Sequence, residues 1–499
     1  MREPDKKGFG KLRSFFWPIH NYELKKVLPM FVMFFFISLN YSLLRSTKDP
    51  LIQFANQGGT ELIPFLKVAG VVPMAFLFML IYSKLSNMMK KETLFYVSIT
   101  IFIAFFTLFK FYLFPCREAL FLDSTSDWIS ANLWPSMHHF GGILRNWMLA
   151  LYYIFSELWG SVALSLLFWG FANDITKTNE AKRFYALFGL GANIALFASG
   201  YVIDFIKAYA GGLGYNEVET WSFMINSVIN IMIISSVLIM FIYRWITKNV
   251  LTDERFFDPE EIKPKKKKEK LTLSQSFAVL ARSKHLFFIT TLVFAYGISI
   301  VLIEVLWKKK AQLYFGNPTD YLEFVGNYNK LTSTLTILLM LFVTSQSLRK
   351  FGWGFTALIT PVVLLISGAG FFSFVIFSDN FQPILDHFGV TALAIAVLFG
   401  TIQTAMSKAS KYSLFDPTKE MAYIPLDQDS KVKGKAAIDV VGARLGKAAG
   451  SGINLAFIAI FSDILLCAPY IAVCLFLVIA CWINAVKGLN KSLHQMHAD

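Results

Sequence analysis

Apolar residues run along this chain in long blocks rather than in the short amphipathic stripes of a water-soluble fold. A helix of about 20 apolar residues spans the hydrocarbon of a bilayer, and windows of that length fit twelve of these blocks. They fall near residues 25–45, 62–82, 93–114, 146–171, 184–206, 222–245, 285–307, 330–348, 353–377, 390–412, 436–461 and 465–486. Twelve crossings return the chain to its starting side, so both termini are expected on one face. Basic clusters orient that face: Lys6, Lys7, Lys11 and Arg13, then Lys84, Lys90 and Lys91, then Lys182 and Arg183, then Arg349 and Lys350, then Lys431, Lys433 and Lys435, and finally Lys487 and Lys491. By the positive-inside rule it is cytoplasmic. The run Lys308 to Lys310 breaks the rule. It falls at the outer end of the seventh block, where it reads either as a snorkelling helix end or as a funnel that draws polyanions to the outer mouth.

After the sixth block comes "RFFDPEEIKPKKKKEKLTLSQS", charged and Pro-containing, with the character of a cytoplasmic linker. The expected organisation is an interfacial N-terminus at 1–22, a six-helix bundle at 23–246, the linker at 247–284, a second six-helix bundle at 285–487 and a cytoplasmic tail at 488–499. Within the first of these, "GKLRSFFWPIH" turns Leu12, Phe15, Phe16 and Ile19 to lipid. The halves echo each other: "EAKRFYALFGLGAN" leads into the fifth block as "KGKAAIDVVGARLGKAAGSG" leads into the eleventh. Internal symmetry of this kind predicts an all-α membrane protein of twelve transmembrane helices, 6+6 pseudo-symmetric and major-facilitator-like, with a substrate site between the halves near the midplane.

Composition agrees. The chain has 499 residues, of which 55% are hydrophobic and only 16% charged, with 51 Phe. Its mean hydropathy is +0.53. These values exclude an ordinary soluble enzyme. The net charge of +14 belongs to the loops between blocks, and no nucleic-acid reader motif accompanies it. Cys467, Cys474 and Cys481 stand at heptad spacing with no His beside them and read as packing residues, while Cys116 lies alone; neither a metal nor another cofactor is expected. The N-terminus "MREPDKKGFG" resembles neither a cleaved signal nor a transit peptide.

Four blocks carry charge where lipid should be, and such residues face protein interiors or water-filled paths. "NYSLLRSTKD" closes the first block with Arg45 and Lys48 on one face. In the fourth, "LYYIFSELWGSVALSLLFWGF", Glu157 heads a stripe with Ser161 and Ser165. "ISIVLIEVLWKKK" places Glu304 in the outer third of the seventh, and "IDVVGARLGKAAG" brings Asp439, Arg444 and Lys447 to the eleventh. Each has a bland alternative: snorkelling for Lys48, register-fixing ion pairs for the two glutamates, a helix start for Asp439. Gly442, Gly446 and Gly450 repeat as small-xxx-small, a helix-packing pattern. Gly400, Gln403, Ser407 and Ser410 share one face of the tenth block, and "NYNKLTSTLT" begins the eighth; each is either cavity lining or a polar helix contact. Tyr152, Tyr153 and Trp159 are candidates to stack on a planar ring. Several cations around one cavity suit a multiply charged anion, with Arg gripping phosphate in two bonds and Lys as a point charge. "GARLGKAAG" is one residue short of a P-loop and has Ala448 where Ser or Thr would hold magnesium, so hydrolysis is not expected, and no catalytic constellation marks an enzyme.

The segments "YELKKVLPMFVMFFFISLNYSLLRSTKD", "SELWGSVALSLLFWGFANDITKTNEAKRFYALFGLGAN", "YGISIVLIEVLWK", "SKASKYSLFDPTKEMAYIPLDQDSKVKGKAAIDVV" and "RLGK" resemble the ATP/ADP translocases, the nucleotide transporters of obligate intracellular bacteria and plastids. The resemblance runs over nearly the whole chain. It implies counter-exchange of external ATP for internal ADP across the inner membrane of a bacterial cell, by a monomer, with functionally critical charges at Lys48, Glu157, Glu304 and Lys447. It also implies that Glu157 belongs to the translocation pathway. Departures stand beside three of these charges: Ser46 and Pro50 replace the family's usual Asp and Thr, Leu306 its Thr, and Ala448 and Ala449 its Ser-Gly. GTP, CTP and UTP therefore stay open as substrates, as does phosphate as a co-substrate. The alternative is a proton-coupled nucleotide or other organic-anion transporter, with Glu157 or Glu304 as the proton site. The full candidate set is Lys48, Glu157, Glu304, Lys447, Arg45, Arg444, Gln403 and Ser407, with Lys48 and Lys447 assigned to the phosphate chain.

Overall fold

The computed structural model describes residues 19–132, 138–176, 178–253, 256, 283–426, 438 and 443–498. Most of the N-terminus and linker, together with Asp439 and Gly442, lie outside them. Among the described residues, ten helices are long and apolar enough to cross a membrane. They are α1 (Asn21–Gln53), α2 (Leu62–Met88), α3 (Lys91–Leu113), α4 (Trp147–Ile175), α5 (Thr178–Gly212), α6 (Glu217–Asn249), α7 (Lys284–Phe315), α9 (Gln346–Ile376), α10 (Ala392–Ala422) and α12 (Ala468–Ala498). Between them lie α8 (Pro318–Leu338), which carries many polar positions, and the shorter α11 (Ala443–Phe461), and short helices at Asp123–Asn132, His138–Arg145 and Ser378–Asp386 occupy connecting segments.

Local chemistry sets several boundaries. Asn216 accepts from the Glu219 N–H while the Glu219 carboxylate accepts from the Asn216 N–H, a reciprocal cap that starts α6. Asn317 caps α8, followed by Pro318 in the first turn, where a missing N–H costs nothing. Helix α9 is broken near its start at Gly352, whose φ of 77° favours glycine. Ser347 and Thr356 lie 2.9 Å apart across it, although nine residues of straight helix would rise about 13.5 Å. The chain therefore doubles back there.

Several helices outrun their apolar blocks, and in α1 and α7 the extension carries charge into the interior. The expected ends were residues 45 and 307, yet α1 continues to Gln53 and α7 to Phe315. Hydropathy stops at charge, whereas a helix continues through charge that finds partners. In α1 the hydroxyls of Ser46 and Thr47 also bond back to the carbonyls of Ser42 and Leu43. Arg45, Lys48 and Lys308 are therefore interior residues rather than helix ends.

One buried apolar cluster is built from α1–α6 and a second from α7–α12. Large apolar side chains such as Phe76, Phe205, Ile234, Phe241, Ile366 and Leu477 are exposed around the outside, as lipid-facing surfaces require. Gly446 and Gly450 of α11 lie against the α7 backbone, where a Cβ would meet Phe294 Cα at 3.1 Å and the Ile298 carbonyl at 3.1 Å. That is the close packing expected of a small-xxx-small face. Cys467 is buried as anticipated, whereas Cys481 is exposed.

Let the near end be the one where α1 starts and α12 finishes. Among the described residues, every hydrogen bond and ion pair between the halves lies in the middle or at the far end. α5 and α8 form the longest seam, with Ser333 donating to the Asn193 carbonyl at 2.6 Å, Asn329 to Ser199 at 3.2 Å, Lys330 pairing Asp204, and Lys207 pairing Asp320 and Glu323 at 2.6 Å each. A Cβ on Gly200 would sit 2.5 Å from the Gly326 carbonyl. Gly200→Val should therefore wedge this seam. The expected result is membrane-inserted protein with a Tm several degrees lower in detergent and transport largely lost; unchanged melting and transport would show that the seam tolerates separation.

Candidate functional site

Where α1, α2, α4 and α7 meet, charged side chains form one continuous network. Lys48, only 2% exposed, places Nζ 2.7 Å from Asp49 Oδ1 and 3.1 Å from Glu157 Oε1. It also stands 3.9 Å above the Tyr153 ring. The other Asp49 oxygen accepts Lys308 Nζ at 2.9 Å. Lys308 reaches one turn back along α7 to Glu304, also at 2.9 Å. Glu304 then pairs Lys67 of α2 at 3.3 Å and Arg45 of α1 at 3.6 Å. Three carboxylates and four cations are thus joined, and the pairs made by Lys308, Lys67 and Arg45 cross between the halves.

A polar layer seals the network toward the far end. Gln53 donates to Thr60 at 2.8 Å, Thr60 to Gln312 at 2.8 Å, and Gln312 back to the Gln53 carbonyl at 2.6 Å. Lys309 pairs Glu61 at 2.9 Å beside it. The Lys308–Lys310 run is therefore not a funnel at the mouth: Lys308 is 6% exposed and Lys309 is held by Glu61. Opposing charge on α1 and α2 keeps the run inside the closed end, where the loop-charge rule does not apply.

Toward the near end the same helices expose polar surface. Arg45 is 40% exposed and Glu157 24%, and Ser161 and Ser165 continue the α4 stripe on exposed positions. Tyr412, 47% exposed, presents itself from α10 and counts Arg45 and Lys447 among its charged neighbours. Lys447 is exposed on α11, with no described carboxylate within 4 Å. Arg45, Glu157 and Lys447 are thus exposed or partly exposed on the near-end side of the network. Lys48 and Glu304 belong to the network itself.

Other expectations fare differently. Gln403 and Ser407 are buried at 1% and 0%, and Gln403 Nε2 and Ser407 Oγ find no partner in the hydrogen-bond geometry, so neither lines an open surface. Arg444 falls at the start of α11 with its side chain outside the described residues. Tyr152, Tyr153 and Trp159 are all fully buried: Tyr152 bonds Thr47 at 2.7 Å, Tyr153 underlies Lys48, and the Trp159 indole donates to the Ile37 carbonyl at 3.0 Å. Packing against α1 occupies these rings, so none is free to stack on a substrate. Sequence reasoning missed Asp49, Lys67 and Lys408. The signal for Lys67 was present, a single lysine within "LIPFLKVAGVVPMAF". Asp49 was hidden by the assumption that α1 ended before it.

A family model for the TLC ATP/ADP transporter matches residues 2–493. The chain belongs to this family. It is 50% identical to the ADP,ATP carrier protein 1 of Chlamydia pneumoniae over 98% of this chain and 96% of that one. Identity is 42% to an ADP,ATP carrier protein 1 of Rickettsia bellii, over 97% and 96%, and 42% to the chloroplastic ADP,ATP carrier protein 2 of Arabidopsis thaliana, over 95% and 76%. Among solved structures the fold is similar to a bacterial homologue of the iron transporter ferroportin in an inward-facing state, with TM-score 0.59, 11% identity, and coverage of 95% of this chain and 99% of that one. It is also similar to a D-xylose–proton symporter, with TM-score 0.53, 14% identity, and coverage of 94% and 97%. The fold of this TLC-family member is major-facilitator-like.

The network generates a stability test. Asp49→Asn or Lys308→Gln removes one of the two partners of a buried charge and should cost up to about 3 to 5 kcal/mol. The double variant should recover a large part of that loss, read as a coupling energy in thermal or denaturant unfolding in detergent. Strictly additive losses would mean that the two residues act independently.

Proposed function

We propose that this chain is an ATP/ADP antiporter that works by alternating access. Family membership across nearly the entire chain carries the reading. The chemistry at the junction of the halves supports it, because cations in excess over carboxylates suit a polyphosphate. With the near end taken as cytoplasmic in a bacterial inner membrane, the arrangement is one in which internal nucleotide reaches Arg45, Lys447 and Glu157 while the network closes the far end.

In this reading the carboxylates occupy lysines and an arginine that phosphate oxygens can take over. Glu157 gives up Lys48, and Glu304 loosens its hold on Arg45 and Lys67 as the anion arrives. The pairs linking the halves then part, and the bundles rock about the substrate. ATP and ADP differ by about one charge, so strict exchange moves net charge and feels roughly 2.3 kcal/mol per 100 mV. An inside-negative potential opposes ATP entry unless phosphate leaves with ADP or the concentration gradients dominate. GTP, CTP and UTP are the alternative substrates to test.

The test is uptake of labelled ATP into proteoliposomes preloaded with ADP, with all four ribonucleotides as competitors. Glu157→Gln and Glu304→Gln should each lower exchange by about ten- to a hundredfold with insertion intact, because each removes one charge-assisted contact of about 1.5 to 3 kcal/mol. Wild-type rates in both variants would reduce the two acids to packing residues. Uptake that follows a proton gradient and needs no internal nucleotide would favour the proton-coupled alternative.

A further inference from the structure

One cation at the junction has no carboxylate partner. Lys408 lies on α10 one turn before Tyr412 and is only partly exposed, and no described carboxylate approaches its Nζ within 4 Å. Its Nζ sits 4.8 Å from the centroid of the Tyr328 ring, whose hydroxyl is itself unpartnered in the hydrogen-bond geometry. A cation–π contact is worth about 2 kcal/mol when desolvated, less than the several kcal/mol a partly dehydrated charge gives up. The charged groups that act on Lys408 include Arg45, from the opposite half, Glu304 and Lys308. Glu304 is already committed to Lys308, Lys67 and Arg45. Arg45 holds it only at 3.6 Å and remains 40% exposed. Lys408 of α10 thus adds a cation with no carboxylate of its own to a junction where Arg45 of α1 has only the longer contact to Glu304.

Resting on the antiport reading, we infer that Lys408 contacts the phosphate chain opposite Arg45, and that their mutual repulsion stops the empty carrier from closing. Bringing the halves together at the near end presses Arg45 and Lys408 toward one another. A polyanion seated between them turns that repulsion into two attractions and permits closure. Return without substrate is blocked by the same pair, so exchange is obligatory. Lys447, exposed on α11 beside Tyr412, extends the positive surface along which the remaining phosphates lie.

The test compares uptake of radiolabelled ATP into ADP-loaded and empty proteoliposomes for wild type, Lys408→Gln and Lys408→Arg. Wild type should take up ATP mainly into loaded vesicles. Lys408→Gln should raise the apparent KM about tenfold and bring empty-vesicle uptake within about threefold of loaded, because the closing barrier falls with the affinity. Lys408→Arg should keep both the wild-type KM and the dependence on internal nucleotide. If Lys408→Gln is inactive in both vesicles, Lys408→Cys with the native cysteines replaced decides. Alkylation that adds an ethylammonium group should then restore coupled exchange, and an ethylsulfonate group should not. A loaded-to-empty ratio in Lys408→Gln equal to wild type, or equal recovery with either reagent, overturns the inference while leaving antiport standing. Wild-type protein that moves no nucleotide in either vesicle overturns both.

Discussion

Glu304 is the residue on which the arrangement depends. It lies in α7, yet two of its three cationic partners come from α1 and α2 of the other half. Asp49 of α1 answers with the reverse contact, holding Lys308 of α7. Each half therefore supplies an acid to the other's base, and the far end closes over this exchange of charge. Inside a membrane protein such pairs are worth far more when intact than either member alone, because a lone partner keeps its desolvation cost. A structure held this way opens only for something that can replace the lost counter-charge, and polyphosphate is such an agent.

The rest of the fold serves to place those charges. Two apolar cores, one per half, give each bundle its own rigidity. Much of the contact between them is made by polar and small residues, including Gly200 against Gly326, Asn329 against Ser46 and Ser199, and Ser333 against Asn193. Apolar contact also crosses the junction, with Leu322 of α8 buried among Leu39, Leu43, Ile203 and Ile206 and with Phe65 packed against the second core, so separation exposes that surface as well as breaking ion pairs and hydrogen bonds.

Much of this was legible in the sequence. Twelve helices and two halves followed from the spacing of apolar blocks, because the bilayer imposes one length and forbids irregular exposed backbone. Arg45, Glu157, Glu304 and Lys447 stood out because charge in an apolar run is costly and so needs a reason. Failures came where partners are supplied by distant segments. Lys308 reads as a surface residue until Asp49 and Glu304 are brought beside it, and Tyr152, Tyr153 and Trp159 look available until α1 packs against them. Gln403 and Ser407 show the same limit, since periodicity identifies a shared face but not whether another helix covers it.

The claim that Glu304 latches the far end is tested most directly by distance. Pulsed electron paramagnetic resonance in nanodiscs would use spin labels at Leu213 and Phe388, exposed far-end positions on opposite halves, with the native cysteines replaced. Without nucleotide, the wild-type protein should give a single short distance. In Glu304→Gln the three cations lose their common partner and repel, so a second, longer distance should be populated without nucleotide. An unchanged distribution in Glu304→Gln would contradict the account and place the latch in the α5–α8 seam instead.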